Sequence, residues 1–206
     1  MLLKSIPVRP RLSESRASSS VVSASILRFA TATATATGAH HASDERNGPL
    51  RFSELVSALL DLNSEESRAL AALCGLEARH GCDALRTPRS FNAALRCTLH
   101  ELTLTHLFNS EGDGEEHRSI HPNAYDPRTG VTYAVETARW RADFRDLAPE
   151  RQMVAATIIW LYRAGSDSIW LRRVPCSWTA TEALSYLYDA GVLGHWARLI
   201  CTYPGW

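Results

Sequence analysis

Lysine is all but missing from this chain. Lys4 is the only one, so 21 of the 22 basic residues are arginine. Together with the abundant alanine, this reads as a coding bias toward G+C, a mark of source rather than of chemistry. It does not read as heat adaptation, because hyperthermophile proteins are enriched in lysine. Paired cysteines are missing too. Cys74, Cys82, Cys97, Cys176 and Cys201 are odd in number, irregular in spacing and without any C-x-x-C. Neither a zinc ribbon nor a thioredoxin-like redox site fits that spacing. Mostly buried thiols in a reducing compartment are expected instead.

Long apolar runs are also lacking. The longest, Met153 to Tyr162, holds ten residues, against the ~20 that a bilayer span requires. No membrane span is therefore expected. The chain has no G-x-G-x-x-G, P-loop, H-E-x-x-H or G-x-S-x-G, which lowers the expectation of an enzyme and gives no reason to expect a cofactor.

Charge sums to zero but is unevenly spread. Residues 1–43 hold Lys4, Arg9, Arg11, Arg16 and Arg28 against Glu14 alone, which leaves 17 basic and 21 acidic residues in the remainder. A mildly acidic domain is a poor match for sequence-independent binding to a phosphate backbone. Residues 1–48 are rich in Ser, Ala, Thr and Arg, with Thr and Ala alternating from Thr31 to Thr37. Such a segment buries too little apolar surface to offset its chain entropy, and it is expected to be a disordered basic arm. Val21 to Ala30 could make an amphipathic turn or two. The arm also has the composition of a mitochondrial or plastid transit peptide; a plain tail or a start codon set too far upstream are the other readings.

Residues 49–206 read as a single all-α domain of five to seven helices, with an irregular connector over residues 110–130. Phe52, Leu55, Val56, Leu59 and Leu60 share one helical face. Asn63 with Glu66 makes a capping box, opening a helix with Leu70, Leu73, Cys74 and Leu76 that Gly81 is placed to end. Thr87 and Pro88 open a third helix, whose stripe of Phe91, Leu95, Leu99 and Leu102 continues to about Phe108; Cys97 and His100 lie at the edge of that stripe. Val131 to Thr137 is open between strand and helix; the favoured helix runs to about Leu147 with Tyr133, Trp140, Phe144 and Leu147 on one face. Pro149 opens the apolar helix, with Val154, Ile158, Leu161 and Trp160 as core, and Gly165 closes it. Ser168 to Val174 is ambiguous. Thr179 with Glu182 makes a second capping box behind Trp178, and Gly191 separates that helix from a last one carrying Val192, Leu193, Trp196, Leu199 and Ile200.

Several residues invite a chemical reading. His117 and His121, at i and i+4 beside Asp113, Glu115 and Glu116, would share a helical face as metal ligands do. Gly114 and Pro122 favour a solvated loop there, and no metal is expected. Cys176 follows Arg172 and Arg173 and precedes a helix N-terminus, both of which favour a thiolate. With Asp189 and His195 it could complete a nucleophile, base and orienter; a structural thiol is the plainer reading. Residues 182–200 have a helix-turn-helix outline, with His195, Arg198 and Thr202 as the polar side of a recognition helix. An ordinary helical hairpin is the plainer reading. All six tryptophans lie between Trp140 and Trp206, interleaved with tyrosines and arginines, the types that dominate protein interfaces and also fill cores. Trp170 and Trp206, with Arg172 and Arg173, are the expected contact residues.

The run VETARWRADFRDLAPERQMVAATIIWLYRAGSDSIWLRRVPCSW, Val135 to Trp178, resembles a family of uncharacterised bacterial proteins with proteobacterial members, some on mobile elements. The resemblance covers about residues 120–206. It implies a bacterial cytoplasmic source, in which case the arm is a tail or a mis-set start, and it implies no activity, cofactor or site residue. The expectation is a non-enzymatic accessory protein with a protein partner. A nucleic-acid-binding regulator is the alternative, and a thiol or metal enzyme a further one.

Overall fold

A computed structural model describes residues 20–30, 48–76, 86–110, 115–162, 170–171 and 177–205. Among them are nine helices: α1 (residues 20–30), α2 (Phe52–Leu60), α3 (Ser64–Leu73), α4 (Pro88–Glu101), α5 (Glu116–Ser119), α6 (Ala134–Arg145), α7 (Pro149–Leu161), α8 (Ala180–Asp189) and α9 (Leu193–Thr202). Apart from α1 and the single-turn α5, seven remain, the upper end of the expected range. Four short strands, β1 (Phe108–Ser110), β2 (Ile120–Pro122), β3 (Tyr125–Asp126) and β4 (Val131–Thr132), pair as two antiparallel ribbons. No described helix is long and apolar enough to cross a membrane.

Capping side chains set the starts of α3, α4 and α8 as their chemistry requires. The Asn63 side chain accepts from the Glu65 and Glu66 amides, and the Glu66 carboxylate accepts from the Asn63 amide at 2.8 Å. Thr87 Oγ1 accepts from the Ser90 amide ahead of Pro88. Thr179 and Glu182 repeat the reciprocal box. The starts of α2 and α8 are tied to each other, since Phe52 N–H donates to Trp178 O and Ala180 N–H to Leu50 O.

Helix ends differ more from expectation. Gly81 lies outside the described residues, and α3 stops earlier, at Gly75. There the Gly75 amide donates to Ala72 O and the Leu76 amide to Ala71 O, a Schellman closure with Gly75 at φ 70°. Leu73 is consequently exposed rather than on the buried face. The third helix ends at Glu101, not near Phe108. The same two bonds, Thr103 N–H to His100 O and Leu104 N–H to Leu99 O, close it with Thr103 at φ 53°. Val131 and Thr132 are strand, so α6 starts only at Ala134; its buried face is Thr137, Trp140 and Phe144, and Tyr133 is exposed. The connector over residues 110–130, expected to be irregular, carries β2 and β3. Gly165 also lies outside the described residues.

The core is built around α7 and α9. Met153 to Leu161 are all buried, as a helix that is apolar on every side requires. The α9 helix packs on α2, α3, α4, α7 and α8. Phe52 joins them: its ring lies 5.6 Å from Trp160, 5.9 Å from Trp196 and 6.4 Å from Trp178. The polar edges of the core aromatics are satisfied. Trp196 Nε1 donates to Thr157 Oγ1 at 3.2 Å, Trp140 Nε1 to Leu107 O at 2.8 Å, and Tyr203 Oη to Leu161 O at 2.8 Å. Arg86 is half-buried and donates to the carbonyls of Leu60 and Tyr203, closing the α2 end against the chain beyond α9.

The expected arm contributes to this core. Residues 20–30 are helical throughout, and Ile26 and Ala30 are buried in the core with Val22, Leu27 and Phe29 packed against it. Val22, Ile26 and Ala30 recur at i, i+4 and i+8, so one face can dock; burial there outweighs the ordering cost that a solvated arm could not meet. Residues 1–19 and 31–47 lie outside the described residues.

Candidate functional site

The aromatic-rich C-terminal half is mainly interior. Trp140, Trp160, Trp170 and Trp196 are buried. Trp170, expected at the surface, instead meets Trp140 edge-on at 5.6 Å, with Arg141 Nε donating to its carbonyl. Arg172, Arg173, Cys176 and Trp206 lie outside the described residues. Asp189 is exposed at the end of α8, whereas His195 turns across to Glu101, with Nε2 3.3 Å from the carboxylate. The proposed base and orienter are therefore not paired.

The helix-turn-helix outline is present, but its second helix has no free face. In α9, Leu193, Trp196, Ala197, Leu199, Ile200, Cys201 and Thr202 are buried. Only Arg198 of that helix is exposed, and Thr202 Oγ1 is turned back onto Arg198 O. A helix surrounded by five others cannot enter a major groove without the domain opening.

His117 and His121 do not share a helical face either. The α5 helix stops at Ser119, and Ile120 is extended, so His121 belongs to β2. His117 is buried, its amide donating to Asn92 Oδ1 and its carbonyl accepting from Tyr162 Oη. His121 donates from Nδ1 to Pro122 O and sits against the Tyr125 ring. It borders an apolar cavity of about 230 Å³ shared with Phe108, Tyr125, Ile158, Tyr162 and Trp170.

Tertiary packing gathers a different set of ligand-type groups. Cys97 and Glu101 are one turn apart on α4, and α9 lies along α4 with His195 opposite them. Cys97 Sγ donates to Glu101 Oε1 at 3.1 Å, and His195 Nε2 lies 3.3 Å from Glu101 Oε2. One ligand atom from each residue falls within 4.8 Å of the others. Partial burial and then the Glu101 carboxylate push the Cys97 thiol up, while Arg198 pulls the other way. Cys97 is thus a hydrogen-bond donor rather than a ready nucleophile. The i, i+4 spacing of Cys97 and Glu101 was visible in the sequence, but nothing there pointed to His195 as the third member.

Surface apolar groups concentrate where β4 enters α6. Val131 is 44% exposed, Tyr133 49% and Val135 83%. A tight turn puts them there: Asp126 accepts from the Arg128 amide and the Thr129 hydroxyl, and Gly130 at φ 68° returns its amide to Asp126 O. Those bonds, that from Thr129 foremost, hold the Asp126 carboxyl below its ordinary range. On α6, the small residues Ala134, Ala138 and Ala142 are exposed around Val135, with Arg139 and Arg145 also exposed. Comparison with family models, curated proteins and solved structures finds no match for this chain.

Proposed function

We propose that this chain is a small, non-enzymatic helical protein that binds another protein through the junction of β4 and α6. One observation carries the reading. Val131, Tyr133 and Val135 are three large apolar side chains exposed within five residues, whereas Val21, Leu50, Leu73 and Tyr186 are exposed singly along the sequence, as is ordinary for a globular surface. Clustered apolar exposure beside arginines is the composition of an interface core and rim. The small outer face of α6 would admit a partner's helix closely. A reducing, cytoplasmic setting goes with this reading and is supported by Cys74, Cys97 and Cys201 being free thiols.

The test is a quantitative affinity capture of the full chain against Val135→Asp, with nuclease in parallel. The wild type should retain a stoichiometric protein after nuclease, and Val135→Asp should lose at least about tenfold of it with an unchanged melting midpoint. Equal capture by both proteins overturns the proposed surface. Capture that disappears with nuclease overturns the protein-partner reading in favour of nucleic acid.

A further inference from the structure

We propose that Cys97, Glu101 and His195 form a binding site for one divalent transition-metal ion of the zinc class, at the surface where α9 crosses α4. The geometry brings the three groups within reach of one ion. Ligands bound at ~2.0–2.3 Å around a tetrahedral centre lie roughly 3.3–3.8 Å apart. Cys97 Sγ is 3.1 Å from Glu101 Oε1 and His195 Nε2 is 3.3 Å from the other oxygen, Oε2; with one ligand atom taken from each residue, the three lie within 4.8 Å of one another. Small side-chain rotations would open room for the ion without moving either helix.

The ligand set selects the metal. One thiolate, one imidazole and one carboxylate suit a borderline-soft ion, and they argue against magnesium or calcium, which take oxygen. A dipositive ion balances the thiolate and the carboxylate, so the bound site carries no net charge. The site is also accessible: Glu101 is exposed, and Cys97 and His195 are half-buried. Three protein ligands leave a fourth position open to water or to a group from a partner.

Without metal, Cys97 donates to Glu101 within α4 and His195 of α9 lies against the same carboxylate, so their proximity has a purely structural use. Cobalt(II) distinguishes the two. The full chain, freed of metal by chelation, is titrated with Co²⁺ and followed by thiolate-to-cobalt charge-transfer and tetrahedral d–d absorption, with native mass spectrometry reading the stoichiometry. One equivalent should bind with both signatures, and Zn²⁺ should bleach them. Cys97→Ser should abolish the charge-transfer band. Glu101→Gln and His195→Gln should each weaken binding by about tenfold or more. Melting curves of the three variants show whether each is folded. Absence of the band in the wild type, or its persistence in folded Cys97→Ser, overturns the site. Should Cys97→Ser fail to fold, the wild-type stoichiometry and the affinities of the Glu101 and His195 variants decide: unchanged affinity in both overturns it equally.

Discussion

Trp170 and Trp140 meet edge to face, with ring centroids 5.6 Å apart and planes at 65°. Trp140 is in turn stacked on Phe144 at 5.5 Å and faces Phe108 at 6.3 Å. Trp140 is therefore the shared member of an aromatic cluster that joins α6 to β1 and takes in Trp170. Trp170→Ala should destabilise the domain by about 3–5 kcal/mol, the usual cost of truncating a buried large aromatic. Urea unfolding followed by circular dichroism measures it. A loss under about 1 kcal/mol would mean that the ring is not held in the core.

A second prediction concerns the polar link inside the core. Thr157 Oγ1 donates to Met153 O and accepts from Trp196 Nε1. Thr157→Val keeps the shape and strands a buried indole N–H, at an expected cost of about 1–3 kcal/mol. Trp196→Phe removes that donor, so the double variant should cost less than the sum of the singles. Strict additivity in that cycle would show that the two side chains do not interact.

Thr103 and Gly191 occupy the same left-handed position after their helices, at φ 53° and 71°. A β-branched side chain there is strained, by roughly 1–2 kcal/mol for the left-handed region. Thr103→Gly should raise stability by no more than about 0.5 kcal/mol, after the added chain entropy of glycine and the loss of the bonds that Thr103 Oγ1 accepts from Arg151 and donates to Leu102 O. Gly191→Ala should lower it by about 1 kcal/mol, although no atom lies within 4 Å of the added Cβ. Changes of the same sign in both variants would contradict the backbone argument.

Asp126 supplies a pH dependence. Its carboxylate is held below the ordinary 3.8, first by the Thr129 hydroxyl. The folded value is lower than the unfolded one, so the turn is fully supported above pH 3.8 and loses that support as pH falls through the folded value. The Arg128 and Thr129 amide shifts should titrate with a midpoint below 3.8. A midpoint at or above it would show that the turn bonds do not form in solution.

The half-buried Cys74 and the buried Cys201 should be inert thiols. Burial pushes Cys74 up to about 12 and raises Cys201 further out of the reactive range. Alkylation of the folded protein at pH 8, mapped by mass spectrometry, should leave both unmodified until denaturant is added. Labelling of either at the rate of free cysteine would mean that the α3 and α9 packing opens readily.

Much of this architecture was legible residue by residue. Local chemistry acts within a turn, so Asn63 with Glu66, Thr87 with Pro88, and Thr179 with Glu182 specify helix starts without reference to the fold. The apolar face of α2 follows from period, and the buried α7 from an apolar run with no polar side. Helix ends were harder, because a Schellman closure requires only a left-handed residue, and Thr103 gives no such signal in sequence. Strands two or three residues long carry too little alternation to be seen.

What the sequence by itself determined is the helical class, the capped starts, the apolar interior of α7 and the absence of a long apolar span. Tertiary structure alone decided which apolar and polar groups meet. It placed Trp170 inside and Val135 outside, drew residues 20–30 into the core, and set His195 beside Cys97 and Glu101. The physical reason is range. Capping and periodicity are short-range and written into neighbouring residues, whereas burial and clustering depend on which surfaces from distant parts of the chain pack together.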